Sequence, residues 1–352
     1  MPIKIFDHVK RITDRVATLV HPGSWRSRGV AGASGAIMLI AALVFFLLAF
    51  LWGQEPDRFE VHQIGQVGPG PNEMVTGYMT SMTLARVARV LLEKPGGYLS
   101  NDVMLPGVMM DNVPNWEYGV LVQVRDLARS LRNDMSRSQS QSVENKQLSE
   151  AEPLFNFDNS SWLFPPSEQQ YRKAIRAVTH YANGLSLEGA DKTQFFARAD
   201  NLRDWLAIVE KRLGSLSQRL SASVGQTRIN TDLAGDAGAV QSGSAATVIE
   251  VKTPWLEIDD VFYEARGATW ALIHFMQAIE VDFADVLKKK NARISLQQIV
   301  RELEGAQEPI WSPVVLNGRG FGFVTNYSLI MASYISRANA AVIDLRNLLA
   351  QG

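Results

Sequence analysis

The chain has 352 residues, 46% of them apolar and 20% charged, with a formal net charge of -1. That composition suits a globular core and offers no basic footprint, so no nucleic-acid partner is expected. It contains no cysteine, which excludes disulfides, thiolate catalysis and cysteine-based zinc or iron–sulfur centres.

Met1 to Val20 places Phe6, Val9, Ile12, Val16 and Leu19 at helical spacing, with Lys10, Arg11 and Arg15 elsewhere around the helix. Residues 1–28 read as a cytoplasmic amphipathic segment, lying on an anionic membrane surface or folded against a partner or itself. His21-Pro22-Gly23 is expected to break that helix.

Ala36 to Trp52, AIMLIAALVFFLLAFLW, is apolar throughout and lies within an uncharged run, residues 29–54. Crossing a hydrocarbon core takes roughly 20 such residues, and a helix is the one single-segment structure that satisfies its own backbone there. The expected partner of Ala36 to Trp52 is therefore the lipid bilayer. Lys4, Lys10, Arg11, Arg15, Arg26 and Arg28 precede this run, whereas Arg58 alone follows it before Arg86. The positive-inside rule then keeps the N-terminus in the cytoplasm and sends the bulk across. A cleaved signal peptide is the competing reading, but the leading segment is long and no A-x-A site follows FLWGQEP. Gly29, Gly32 and Gly35 hint at helix pairing, which leaves room for a homo-oligomer, although their spacing is not G-x-x-x-G.

Gly53 to Pro71 is polar and rich in Gly and Pro, and residues 55–71 read as a spacer lifting the domain off the bilayer. Residues 72–224 read as a helical region. Helices are expected from a cap at Asn72 to Leu92, from Asn115 to Arg137, from Ser167 to Leu187, and from Asp191 or Thr193 to Val224. Lys94 to Pro114 is expected to be an ordered loop. Residues 225–252 are almost free of large apolar side chains at first and read as a flexible linker or long loop, the one credible domain boundary. Residues 253–352 read as a second helical region, packed with 72–224, with helices over Trp255–Leu287, Ile294–Glu304 and Thr325–Leu349. No stretch sustains the two-residue alternation of a strand.

No motif carries a specific chemistry. Glu117, Asp260 and Glu264 are the acidic candidates for catalysis: Asp260 and Glu264 share a helix face, and a pair of carboxylates across a cleft could hydrolyse a glycosidic bond. The plainer reading is carboxylates favoured by positive helix ends. Gly318, Arg319 and Gly320 in NGRGFGF could form an anion site at the last helix. Their spacing departs from the dinucleotide fingerprint, and a tight turn explains the glycines. The five histidines show no metal-ligand spacing. No metal and no cofactor is expected. Arg125, Arg129 and Arg132 form a basic stripe, read as a surface ion-pair network.

The runs NDVMLPGVMMDNVPNWEYGVLVQVRDLARSLRNDMSRSQSQS, FNFDNSSWLFP, RADNLRDWLAIVEKRLGSLSQRLSASVG, KTPWLEIDDVFYEARGATWAL and WSPVVLNGRGFGF resemble the proteobacterial family known as domain of unknown function 2333. The likeness covers nearly all of the chain beyond the apolar helix. It implies an inner-membrane-anchored protein of Gram-negative bacteria and carries no activity or catalytic residue with it. The expected fold is mainly α: a single N-terminal transmembrane helix followed by a periplasmic helical bundle with long loops. The expected role is a binding or scaffold component of the envelope with a protein partner. A cell-wall glycan hydrolase and a lipid-handling module are the alternatives.

Overall fold

The computed structural model describes residues 14, 22–67, 75–137, 144–186, 193–229, 248–312, 314–319 and 322–351. Eleven α-helices dominate the described residues. The first, α1 (Pro22–Trp52), is one unbroken helix. Pro22 sits at its first position, where a fixed φ and a missing N–H suit a helix start. Pro22 and Gly23, expected to break a helix, therefore open this one, which is continuous with the apolar run; His21 lies outside the described residues. Of the amphipathic segment expected over residues 1–28, residues 22–28 belong to α1, and the rest, Asp14 excepted, lies outside the described residues. Within α1, Ser34–Trp52 has a mean hydropathy of 2.7 and is long and apolar enough to cross a membrane. Met38, Phe46 and Phe50 stand exposed along it, so this is not the core helix of the domain.

Of the expected spacer, residues 55–67 carry side chains that pack on the helices that follow, and residues 68–71 lie outside the described residues. Residues 55–60 run without helix, followed by α2 (His62–Val67). Phe59 packs on His274, and Val61 is buried. The polar, Gly/Pro-rich composition hid these anchoring side chains.

α3 (Tyr78–Glu93) begins at Gly77, whose φ of 94° ends the preceding backbone. The expected cap, Asn72, lies outside the described residues. Asp282, 202 residues away, satisfies the start of this helix: its carboxylate accepts from the Thr80 N–H and hydroxyl, each at 2.6 Å. α4 (Asn112–Ser130) starts three residues before the expected Asn115, with Asp111 as its cap, and widens into a π turn over Leu131–Met135. α5 (Lys146–Phe155), capped by Asn145, was not expected, because Pro153 sits inside it. α6 (Ser167–Leu185) follows, then α7 (Ala199–Ser221), which starts later and stops earlier than its periodicity suggests.

Where a flexible linker or long loop was expected, its two flanks pair. β1 (Gln226–Ile229) and β2 (Val248–Val251) form an antiparallel ribbon with Gln226 opposite Val251. Four residues per strand are too few for alternation to stand out. Residues 230–247 between them lie outside the described residues. α8 (Ile258–Asp282), α9 (Ala284–Lys289), α10 (Arg293–Gly305) and α11 (Tyr327–Ala350) complete the chain. α9 replaces what the sequence suggests is the end of one helix.

One hydrophobic core draws on both sides of that ribbon, joining Leu84, Trp116 and Leu206 to Trp270, Leu296 and Leu345. Its tightest crossing is α4 on α8. A Cβ at Gly119 would lie 2.0 Å from the Glu264 carbonyl oxygen, and one at Gly267 would lie 1.9 Å from that of Trp116. Only hydrogen at these two positions lets the backbones meet. α7 lies along α11, and α6 packs on both α3 and α5. A smaller cluster of Val61, Tyr78, Met79, Ala182 and Ala278 seats the segment that leaves α1.

Candidate functional site

Glu117 lies in the second turn of α4 and is completely buried. Its carboxylate accepts from Lys94 Nζ at 2.7 Å, from the N–H groups of Leu99 and Ser100 at 2.8 Å each, and from the Ser100 hydroxyl at 2.5 Å. Lys94 also donates to the Gly97 carbonyl at 2.6 Å. Burial pushes the Glu117 carboxyl up, against the pull of Lys94 and the donors of residues 99–100. The pair folds the KPGGYLS turn onto α4. Its role is that of an internal fastener rather than a helix-end charge, and all four donors are inside the protein.

Asp260 accepts from the Asn115 amide at 2.6 Å. Its carboxyl is raised by burial and then by the neighbouring charges of Asp259 and Asp111. Glu264 shares its helix face, one turn on, and is gripped by both terminal nitrogens of Arg219 at 2.8 and 2.6 Å. It borders a shallow cleft of about 250 Å³ with Tyr118, Gln123 and Arg212. Arg212 is itself bound to Asp126 at 2.7 and 3.1 Å. The three acidic candidates thus each serve a separate local contact, to Lys94, Asn115 and Arg219.

Gly318 lies in a tight turn. Its N–H donates to Thr325, a Cβ there would lie 1.8 Å from the Val324 carbonyl oxygen, and its own carbonyl accepts from Asn326. Asn326 also caps α11 by accepting from the Leu329 N–H at 2.8 Å. Arg319 accepts, through its carbonyl, from the Gly322 N–H at 3.0 Å. Gly320 lies outside the described residues. The turn reading accounts for this geometry. Of the basic stripe, Arg129 and Arg132 pair with Glu152, and Arg132 also with Glu144, whereas Arg125 donates to the carbonyls of Phe155 and Phe157. Among the described residues no cluster of three His, Asp or Glu side chains is placed to hold a metal ion.

A further set of specific contacts, at residues not singled out in the sequence, lies at the end of α1 and just after it, over residues 52–59. The Trp52 ring rests on Gly96: a Cβ there would lie 2.7 Å from Trp52 Cγ. Three residues on, Glu55 receives Arg266 of α8 at 2.7 to 2.9 Å through Nε and Nη2. Arg266 also donates to the Glu308 carbonyl at 3.0 Å. Arg58 pairs with Glu304 at 2.9 Å. The Phe59 ring stacks on His274 at 4.0 Å, and its N–H donates to His274 Nε2 at 3.2 Å. His274 Nδ1 lies 2.7 Å from the Trp270 carbonyl, so the proton sits on Nδ1 and the ring is neutral. Burial lowers its pKa from 6.5 to about 4. Beside this seam a cleft of about 420 Å³ opens between residues 54–57 and α3, lined by Arg86, Arg89 and Glu93. The available signals were a lone arginine and a lone histidine inside the apolar run of α8, ARGATWALIHFM. A charge in such a run demands a partner.

Residues 25–352, which include every contact just described, match a family of uncharacterized proteins conserved in bacteria, DUF2333. The chain belongs to this family. Comparison with curated proteins and with solved structures found no match. The DUF2333 region begins inside α1, so the family resemblance takes in the apolar helix as well as the domain.

Proposed function

We propose that this protein is anchored in the bacterial inner membrane by a single helix, with its N-terminus in the cytoplasm and its helical domain in the periplasm. There it acts as a binding or scaffold component of the envelope. The observation that carries the reading is the seam between α1 and the domain. Trp52, Glu55, Phe59 and Val61 all engage the domain, so the domain is mounted on its anchor rather than tethered to it. A rigid mount presents one face to a partner at a fixed height and orientation. The six basic residues before the apolar run, against Arg58 just after it, support the orientation.

The glycan-hydrolase alternative draws no support from its residues, since Glu117 faces inward, Asp260 is engaged by Asn115 and Glu264 is held by Arg219. The lipid-handling alternative needs a dry internal cavity. The interior instead holds Trp116, Trp205, Trp270, Tyr171 and Phe275, all fully buried.

Two experiments test the proposal. A reporter fused after Gly352 is expected to be active in the periplasm, and activity confined to the cytoplasm would overturn the orientation. Affinity capture of the full chain from nanodiscs, against a version carrying only residues 1–54, is expected to recover an envelope protein dependent on the domain. Recovery of none across several solubilisation conditions would contradict the scaffold role.

A further inference from the structure

Beyond α1, several of the most exposed large apolar side chains sit in loops. Between α3 and α4, Met104, Leu105 and Met109 are 71%, 62% and 70% exposed; Phe164 between α5 and α6 is 90% exposed and Trp311 after α10 is 92% exposed. We propose that these loops form a second lipid contact, lying in the headgroup and upper acyl layer of the same bilayer that α1 crosses. The inference rests on reading α1 as a membrane-spanning helix.

Continuity with the end of α1 is the first argument. Gly53, the residue after α1, lies against Met110, the residue that follows Met104–Met109 in the loop. The Asn101 amide at the start of that loop donates to the Ser161 carbonyl at 2.8 Å, and the Tyr98 hydroxyl donates to the Asn159 carbonyl at 3.1 Å. The Phe164 loop is thereby tied beside it. Trp311 follows by three residues the Glu308 carbonyl, which shares Arg266 with Glu55. Each loop is thus fastened within a few residues of the point where the apolar helix ends. A protein partner would have to wedge between the domain and the lipid to cover them.

Side-chain chemistry is the second argument. Contiguous exposed apolar surface marks an interaction site. Aromatic rings are favoured at the water–lipid boundary, and Trp52, Trp162 and Trp311 all belong to this end of the molecule. Phe164 is held at a φ of 39°, an unfavourable conformation for a bulky residue, with its ring turned outward. Asp57, Asp111 and Asp158 are exposed in the same segments and Arg58 there is paired with Glu304, so attraction to anionic headgroups is not the driving force. Burial of apolar area in the outer part of the leaflet, about 5–10 Å deep, is.

The natural absence of cysteine gives a clean test. Full-length single-cysteine variants Met104→Cys, Phe164→Cys and Trp311→Cys are labelled with an environment-sensitive fluorophore in nanodiscs holding one copy each. Phe46→Cys reports on α1, and Asp204→Cys reports on the far end of the domain, since Asp204 faces Asp134 in the π turn that follows the 19-residue α4. The three loop labels are expected to shift to the blue. They should lose fluorescence to lipids brominated near the headgroup and resist aqueous iodide, equally in zwitterionic and anionic discs. The Asp204→Cys label is expected to behave in the opposite way. Loop labels quenched by iodide while Phe46→Cys is quenched by deep-brominated lipid would overturn the inference and leave the membrane helix standing. A Phe46→Cys label quenched by iodide would remove both. Shielding that appears only with two copies per disc would make a second copy the occupant and overturn the bilayer contact.

Discussion

Single residues carry this domain's internal charges, and each has a partner from a different element. Glu117 and Lys94 are both completely buried side chains. Removing one partner of such a pair leaves an uncompensated charge, at a cost of roughly 3–5 kcal/mol. Lys94→Met is therefore expected to destabilise the domain by that order, and the Lys94→Met/Glu117→Leu double variant by less than Lys94→Met alone. Denaturant unfolding in mild detergent measures both. A double variant as damaged as the sum of its singles would show that the two side chains act independently.

His274 gives a second prediction at this scale. Its pKa falls from 6.5 to about 4 on folding, so the fold prefers the neutral ring. Its contribution is complete above pH 6.5 and is lost as pH falls from there towards 4. Over that window the wild type should lose about 1.4 kcal/mol per pH unit more than His274→Gln, in which no proton is taken up there. Parallel pH profiles for the two proteins would contradict it.

Elements meet where side chains permit it, and α4 on α8 is the clearest case. Gly267 lies against the Trp116 carbonyl, and Gly119 against that of Glu264. A methyl group at Gly267 would meet backbone atoms of the facing helix and force the pair apart. Overpacking of this kind costs about 1–3 kcal/mol and occasionally more. Gly267→Ala is therefore expected to lower stability by at least the upper part of that range, whereas Gly214→Ala, whose Cβ would lie 3.6 Å from the Asn339 amide, should be close to neutral. Equal effects would deny the crossing its close approach.

At this scale the sequence was most informative where periodicity is long. α6, α10 and α11 begin and end within about two residues of expectation. It was least informative where structure is made by distant partners. Asp282 capping α3 is invisible to local patterning, as is the pairing of two four-residue strands across eighteen residues of small polar composition. α5 was hidden by Pro153, which the helix accommodates in its last turn.

The whole molecule is organised around the junction between α1 and the domain. Composition alone identifies the apolar helix, because lipid selects for length and hydrophobicity and little else. The same composition misleads immediately afterwards. Gly, Pro and Gln suggested a loose spacer, yet Glu55, Phe59 and Val61 each find a partner within α3 or α8, or the cluster they form. The carboxylates chosen from sequence were real features with local partners, whereas the contacts that position the domain came from Arg266 and His274. These two residues stand out only once α8 is known to be buried along most of its length.

Arg266→Ala removes the charge-assisted contact to Glu55 and two carbonyl contacts at once. It is expected to free residues 54–61, seen as faster amide exchange at Phe59 and Val61 with little change in the α7–α11 pair. Unaltered exchange at those two amides would show that the seam does not depend on this arginine.

Rigid mounting is tested most directly by pulsed electron resonance on the full chain in nanodiscs, with spin labels at Leu47→Cys in α1 and Asp204→Cys in the domain. A seam built from Trp52, Glu55 and Phe59 predicts a single narrow distance distribution that broadens in Arg266→Ala. A distribution already broad in the otherwise wild-type protein, as from a flexible tether, would contradict it.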